Sequence, residues 1–497
     1  MQWRLMLRTW TVAGILAPVV TIGVAAATWH RVSGAFFFAD DFVHLYDLVS
    51  CSRTAFLTQV WAGHIIAAPR FAMLLLFDIF GPDPRPYFWS MLLTHLLNVA
   101  LLYGVIMRFT GNTLLACASA IWWGTSPVLA GTLDWYSVYG QVLLTTVVLV
   151  VLSGLASSVA AGHPLSARRA LGWAALLAVG SASFASGLGI AAAFPLVAWI
   201  VVPPGERPGR SFAILSGVVA GILLAYASVR MLVPDVVPSE WLRLEADADS
   251  LNRGFALLAN LAAFGVNALV APPFTRDSAT TLATAIVGVV IVAGWWASDS
   301  AKRRAQLGLW LLVLATYTTI VVGRLPFIAL IKVSPVEAAT WQRYHYLATS
   351  LIAVALAAAL ASVWHLGGWP RRGVALVVVA WTIVRLVVLG VQPVEIDLHQ
   401  DARVDADAAL AAIRREIAAT PLGGVARITN RRLDFGRFNR LPGWVALFAI
   451  MEPHDVVDGR TVRFVVSEQE WAAAQARGGR MTALVELTAA DVAASRR

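Results

Sequence analysis

Val138–Ala161 reads VYGQVLLTTVVLVVLSGLASSVAA, twenty-four residues without one charged side chain. Wound as a helix it would extend about 36 Å, longer than the ~30 Å hydrocarbon layer of a bilayer. Comparable stretches recur at Thr11–Thr28, Tyr87–Phe109, Thr113–Gly131, Ala170–Ser186, Gly187–Val202, Ser211–Leu232, Ala279–Ala297, Gln306–Gly323, Tyr344–Trp364 and Val374–Val391. Eleven candidate spans make this an expected all-α polytopic membrane protein. Gly187 and Gly189 are read as a tight turn between the two short spans around them.

Composition agrees with that reading. Of 497 residues 59% are hydrophobic and 13% charged, and the mean hydropathy is +0.71. Only Cys51 and Cys117 are present, which excludes a secreted disulfide scaffold. Twenty Trp and 21 Phe exclude a disordered chain. The net charge of +9 has a location: residues 1–392 hold 24 basic and 15 acidic side chains, whereas residues 393–497 hold 14 of each. The excess belongs to membrane loops, so nucleic acid is not an expected partner.

The basic residues also orient the chain. Arg4/Arg8, Arg108, Arg168/Arg169, Arg207/Arg210, Lys302–Arg304 and Arg371/Arg372 fall on one side of the alternating spans, with only Glu206 and Asp299 as acids. That side is read as cytoplasmic, and the first span as an uncleaved helix. Phe255–Val270 would break the alternation if it crossed, so it is expected to lie in the outer interface, as is a short helix over Phe42–Val49. The outer loops are then 29–86, 233–278 and 324–343. Residues 393–497 follow an odd number of spans and are expected outside as a small α/β domain, with residues 1–392 forming the membrane domain. In that tail Asp405–Ala419 and Glu468–Ala476 read as helices; Val425–Thr429, Thr461–Val466 and Met481–Leu487 read as strands. Two Lys against 36 Arg suggest a GC-rich bacterial genome, and hence a bacterial inner membrane.

The first outer loop carries most of the candidate chemistry. Asp40 and Asp41 stand side by side just past the first span, followed by His44 and Asp47. Such carboxylates suit a general base or a divalent cation; the alternative is that one caps the helix after it. His64 and Arg70 follow in HIIAAPR, then Gly81-Pro82-Asp83-Pro84. His95 and Asn98 share a helix face, for interhelical hydrogen bonds or for a ligand. Arg70 sits on an outer loop, where its guanidinium suits phosphate or a salt bridge to Asp78 or Asp83. Arg385 lies about 9 Å inside the last span, where a charge must snorkel, pair or face water. Asp134, next to Trp135 and Tyr136, suits a sugar hydroxyl with a stacking face, or an interfacial aromatic belt. No Cys/His spacing suggests a zinc site, and no Walker A loop, H-E-x-x-H or G-x-S-x-G motif occurs. No cofactor is expected, with a divalent cation left open.

One span, an Asp-Asp loop, a His…Pro-Arg stretch, a Gly-x-x-Pro segment and His95-x-x-Asn98, in that order, resemble the GT-C class of polytopic glycosyltransferases, in particular the bacterial relatives of protein O-mannosyltransferases. Arg343-Tyr344-His345-Tyr346-Leu347 is similar to the Arg-Tyr motif late in such chains. The likeness covers residues 10–390 and leaves the tail, with Leu441-Pro442-Gly443-Trp444, outside it. It implies a sugar donor linked to polyprenyl phosphate, an outer-loop aspartate, Asp40 or Asp41, as catalytic base, and a cation at the phosphate, for which Arg343 beside Tyr344, Arg324, Lys332, Arg70 and Arg385 are the candidates. The acceptor would be a glycan, lipid or protein hydroxyl of the cell envelope. The competing expectation is a non-catalytic membrane protein: a transporter, a flippase or an envelope-assembly partner. A transporter would place ionisable groups at mid-membrane, whereas these acids gather outside.

Overall fold

The computed structural model describes residues 12–162, 164–233, 247–270, 278–429, 456–457 and 459–465. After α1 (Val12–Trp29) the first loop folds into α2 (Asp40–Ser50), α3 (Arg53–Thr58), a hairpin of β1 (Val60–Trp61) and β2 (His64–Ile65), and α4 (Ala67–Phe80). Then come α5 (Pro84–Thr110), α6 (Thr113–Gly124), α7 (Ala130–Leu133), α8 (Tyr139–Ala161), α9 (Ala167–Ser181), α10 (Ser186–Val201) and α11 (Gly209–Leu232). α12 (Ala248–Val270), α13 (Ser278–Trp296), α14 (Ser300–Leu330), α15 (Pro335–Ala339), α16 (Tyr346–Trp364) and α17 (Gly368–Val391) complete the bundle. Beyond it lie α18 (Gln400–Ala419), β3 (Val425–Thr429), β4 (Val456–Val457) and β5 (Arg460–Val465).

The protein is a bundle of apolar helices. Among the described residues α5, α8, α11, α12, α14, α16 and α17 are long and apolar enough to cross a bilayer. α6 with residues 127–133 makes an eighth such unit, bent by 48° at Thr125–Ser126. Ser186–Val201 and Thr284–Trp296 are apolar but shorter. Local chemistry sets the helix ends. Asp83 caps α5 by accepting from the Arg85 N–H, with Pro84 at the first position. Gly111 then turns with φ +63°, and Asn112 caps α6. Asp299 caps α14 ahead of Lys302–Arg304.

Gly187 and Gly189 do not form the expected turn. Both lie in the first turn of α10, and the chain reverses over Ala182–Ala185. A side chain at Gly187 would strike the Gly180 carbonyl; one at Gly189 would strike Ala315 and Thr319 of α14. These glycines serve close backbone approach rather than a bend.

α16 is the axis of the bundle, packed against α5, α6, α8, α13, α14 and α17. At its start the Trp123 indole donates to the Tyr346 carbonyl (3.2 Å) and to the Thr349 hydroxyl (3.1 Å). In the tail, β3 pairs parallel with β5 in the register Val425↔Thr461, β4 pairs antiparallel with β5, and α18 packs on β3. α18 begins at Gln400, earlier than the expected Asp405. The expected helix Glu468–Ala476 and strand Met481–Leu487 lie outside the described residues, as does Leu441–Trp444. The Phe36 N–H donates to the Leu398 carbonyl (3.1 Å), and the Gln400 amide to the Gly34 carbonyl (3.2 Å). The first loop and the start of the tail therefore share one end of the bundle.

Candidate functional site

The chain enters α2 through a strained residue, Ala39 (φ +46°, ψ −114°), and the two aspartates that follow have opposite surroundings. The Asp41 side chain is fully buried. Its Oδ2 accepts from the Phe38 N–H (2.9 Å), and its Oδ1 from the Ser137 N–H (2.6 Å) and the Ser137 hydroxyl. Asp41 thus ties the first loop to the segment before α8. Burial lifts its pKa to about 7 against the pull of these donors. The Asp40 carboxylate is half-buried and has no hydrogen bond among the described residues. Burial raises its pKa to about 6, opposed by the charges of Arg343 and Arg324.

Those two arginines come from different elements. Arg343 lies in a short 3-10 turn, Gln342–Tyr344, its guanidinium over the rings of Trp341 (4.9 Å), Trp135 (5.2 Å) and Tyr344 (5.5 Å). Arg324, on α14, donates to the His64 Nε2 at 2.6 Å. His64 stacks on Phe184 (4.9 Å) and is held neutral by burial and by Arg324 and Arg230, so it accepts rather than repels. Neither Arg324 nor Arg343 forms an ion pair among the described residues. The Tyr344 hydroxyl is buried and has no hydrogen-bond partner among the described residues. Two cations, one carboxylate and an unused hydroxyl leave a positive surplus suited to an anion.

The short segment before α8 is the hub of this arrangement. Ser137 holds Asp41 and Trp135 underlies Arg343, while the Gly131 N–H donates to the Gln342 side chain (2.8 Å). Asp134 is buried, and its pKa rises to about 7 through burial and the nearby charges of Asp397 and Asp41. It adjoins the tail rather than Arg343. Ser137, Asp397 and His399 escaped the sequence reading, because their contacts are long-range and follow no spacing.

The other expected residues lie elsewhere. Arg70 is buried below α2, with Nη1 bound to the Phe56 (2.9 Å) and Gln59 (2.6 Å) carbonyls; it braces the loop beside Asp47 and His44. The His44 ring lies edge-on to Trp61 at 5.1 Å. His95 bonds the Tyr346 hydroxyl (2.8 Å) and the Gly124 carbonyl (3.1 Å), and Asn98 donates to the Val142 carbonyl (2.9 Å), so both join helices. Arg385 neither snorkels nor meets Asp40: it donates to the Leu269 carbonyl (2.9 Å) and the Thr125 hydroxyl (3.3 Å), closing α17 onto α12 and the bend after α6. Lys332 lies just past α14 at a left-handed φ of +58°.

Among the described residues no three His, Cys, Asp or Glu side chains converge as a metal site. No known family model matches the chain, and no curated protein matches it.

Proposed function

We propose that this protein transfers a sugar from a polyprenyl-phosphate donor to an acceptor hydroxyl at the non-cytoplasmic face of a bacterial inner membrane, with Asp40 as the base. One observation carries the reading: among the described residues Asp40, unlike Asp41, accepts no hydrogen bond, and it feels the charges of Arg343 and Arg324, neither of which forms an ion pair there. In the reaction the Asp40 carboxylate takes the acceptor's proton as the acceptor oxygen bonds to the anomeric carbon. The bond from that carbon to the phosphate oxygen breaks, and its electron pair leaves with the phosphate. Arg324 and Arg343 offset the charge gained there, and the Tyr344 hydroxyl adds a donor. A donor held by its lipid and an acceptor held by the outer loops need not meet by free diffusion.

The basic loops support placing this end outside. The Phe36–Leu398 bond supports an even number of crossings between the first loop and the tail. The ten helices α5, α6, α8–α11, α13, α14, α16 and α17 meet that parity when α12 stays in the outer interface. Gly254 of α12 lies against Val321 and Leu325, and Gly265 against Tyr317 and His345, on the side of α14 nearer its Leu330 end.

The test is turnover of radiolabelled polyprenyl-phosphate sugars by the purified chain in lipid nanodiscs containing an envelope extract as acceptor. Donor consumption with release of polyprenyl phosphate is expected, and Arg324→Ala together with Arg343→Ala abolishes it. No consumption of hexosyl or pentosyl donors by the folded protein would overturn the proposal.

A further inference from the structure

The chain beyond the last membrane helix reaches back into the site. Val394 and Ile396 are buried in the core of the bundle, and Leu398 receives the Phe36 N–H. His399 follows in a left-handed conformation (φ +51°), its ring stacked flat on Phe38 with 4.3 Å between centroids and 6° between planes. Its Nδ1 lies 3.4 Å from the Asp397 carboxylate. Phe38 then points two ways. Its backbone N–H holds Asp41, and its ring meets Trp135 edge-on at 6.1 Å, the same Trp135 that lies beneath Arg343. One aromatic column thus runs from the tail to both halves of the site.

We infer that Val394–Gln400 is a strap that completes the site, with His399 as a positioning residue that sets the Asp40–Asp41 turn and the Arg343 platform through Phe38 and Trp135. Two residues with positive φ, Ala39 and His399, mark the segments that the strap presses together. Such conformations persist where surrounding contacts over-determine them. The inference takes Asp40 to be the proton acceptor, but its test needs no sugar donor.

A hydrophobic carbodiimide reacts with protonated carboxyls, so its adduct on Asp40, quantified by peptide mass spectrometry across pH, reports the setting of that group. In the full-length wild type, labelling should be half-maximal near pH 6, the value burial gives Asp40. His399→Ala admits water around Phe38; a fall of that midpoint to about 5 cuts labelling at pH 6 about fivefold. His399→Phe keeps the stack and retains the wild-type profile. His399→Leu replaces His399→Ala if the smaller side chain prevents folding. A folded His399→Ala or His399→Leu protein with the wild-type profile overturns the strap. If the shift is seen yet Asp40→Asn leaves sugar transfer intact, the strap stands and the catalytic assignment falls; the reverse pattern does the opposite.

Discussion

Replacing each aspartate of the pair by asparagine separates chemistry from architecture. In Asp41→Asn the amide oxygen can still accept both Ser137 donors, but the amide nitrogen then meets the Phe38 N–H. A buried donor facing a donor costs about 1–3 kcal/mol, which thermal unfolding followed by tryptophan fluorescence resolves at pH 5, where Asp41 is protonated and the substitution removes no buried charge. Asp40→Asn loses no hydrogen bond and removes a charge that burial disfavours, so its melting temperature should stay level or rise. Its effect falls on rate. Loss of a general base slows transfer about 10²–10⁴-fold, equivalent to ~3–5 kcal/mol of barrier. The assay is initial transfer rate in nanodiscs, normalised to folded protein, beside the melting curve of the same sample. The reasoning fails if Asp40→Asn transfers sugar at the wild-type rate, or if Asp41→Asn is as stable as wild type.

Three further outcomes follow from the same geometry. Transfer should decline as pH falls through about 6, about tenfold between pH 7 and pH 5, as Asp40 gains its proton, and a pH–rate profile measures this. Stability should run the other way. Asp40, Asp41 and Asp134 have folded pKa values raised from 3.8 to about 6, 7 and 7, so their favourable contribution is complete below about pH 4 and is lost as pH rises through 6 to 7. Asp134→Asn should therefore raise the melting temperature at pH 8 more than at pH 5. Arg385→Ala should cost about 1–3 kcal/mol by stranding the Leu269 carbonyl, while kcat/KM of the folded fraction stays at the wild-type value.

The helical membrane architecture was legible because burial in lipid demands long apolar runs, and such runs survive in composition alone. The site was legible only in part. Asp40 and Asp41 are adjacent, yet one residue of helix turns the side chain by about 100°, enough to send one into packed donors and leave the other open. Arg385 and Arg343 both stand near one end of an apolar helix, and only their partners distinguish a brace between helices from a cation stacked on three rings. His95 and Asn98 looked able to bind a ligand because polar groups in a span need partners; those partners prove to be Tyr346, Gly124 and Val142. Gly187 and Gly189 carried a real signal, but close contact and a turn use the same residue for the same lack of a side chain. Ser137 acts partly through its backbone N–H, which every residue but proline carries, so nothing in the sequence sets it apart.

The hydrogen bond from Phe36 to Leu398 joins the loop after α1 to a peptide made only after α17, the last helix of the bundle. During synthesis, therefore, the loop with the acidic pair reaches its destination long before its last backbone partner leaves the ribosome. A nascent chain halted before Leu398 would hold every helix of the bundle but leave the Phe36 amide without this acceptor, so the finished geometry is withheld until the segment past the bundle has been made.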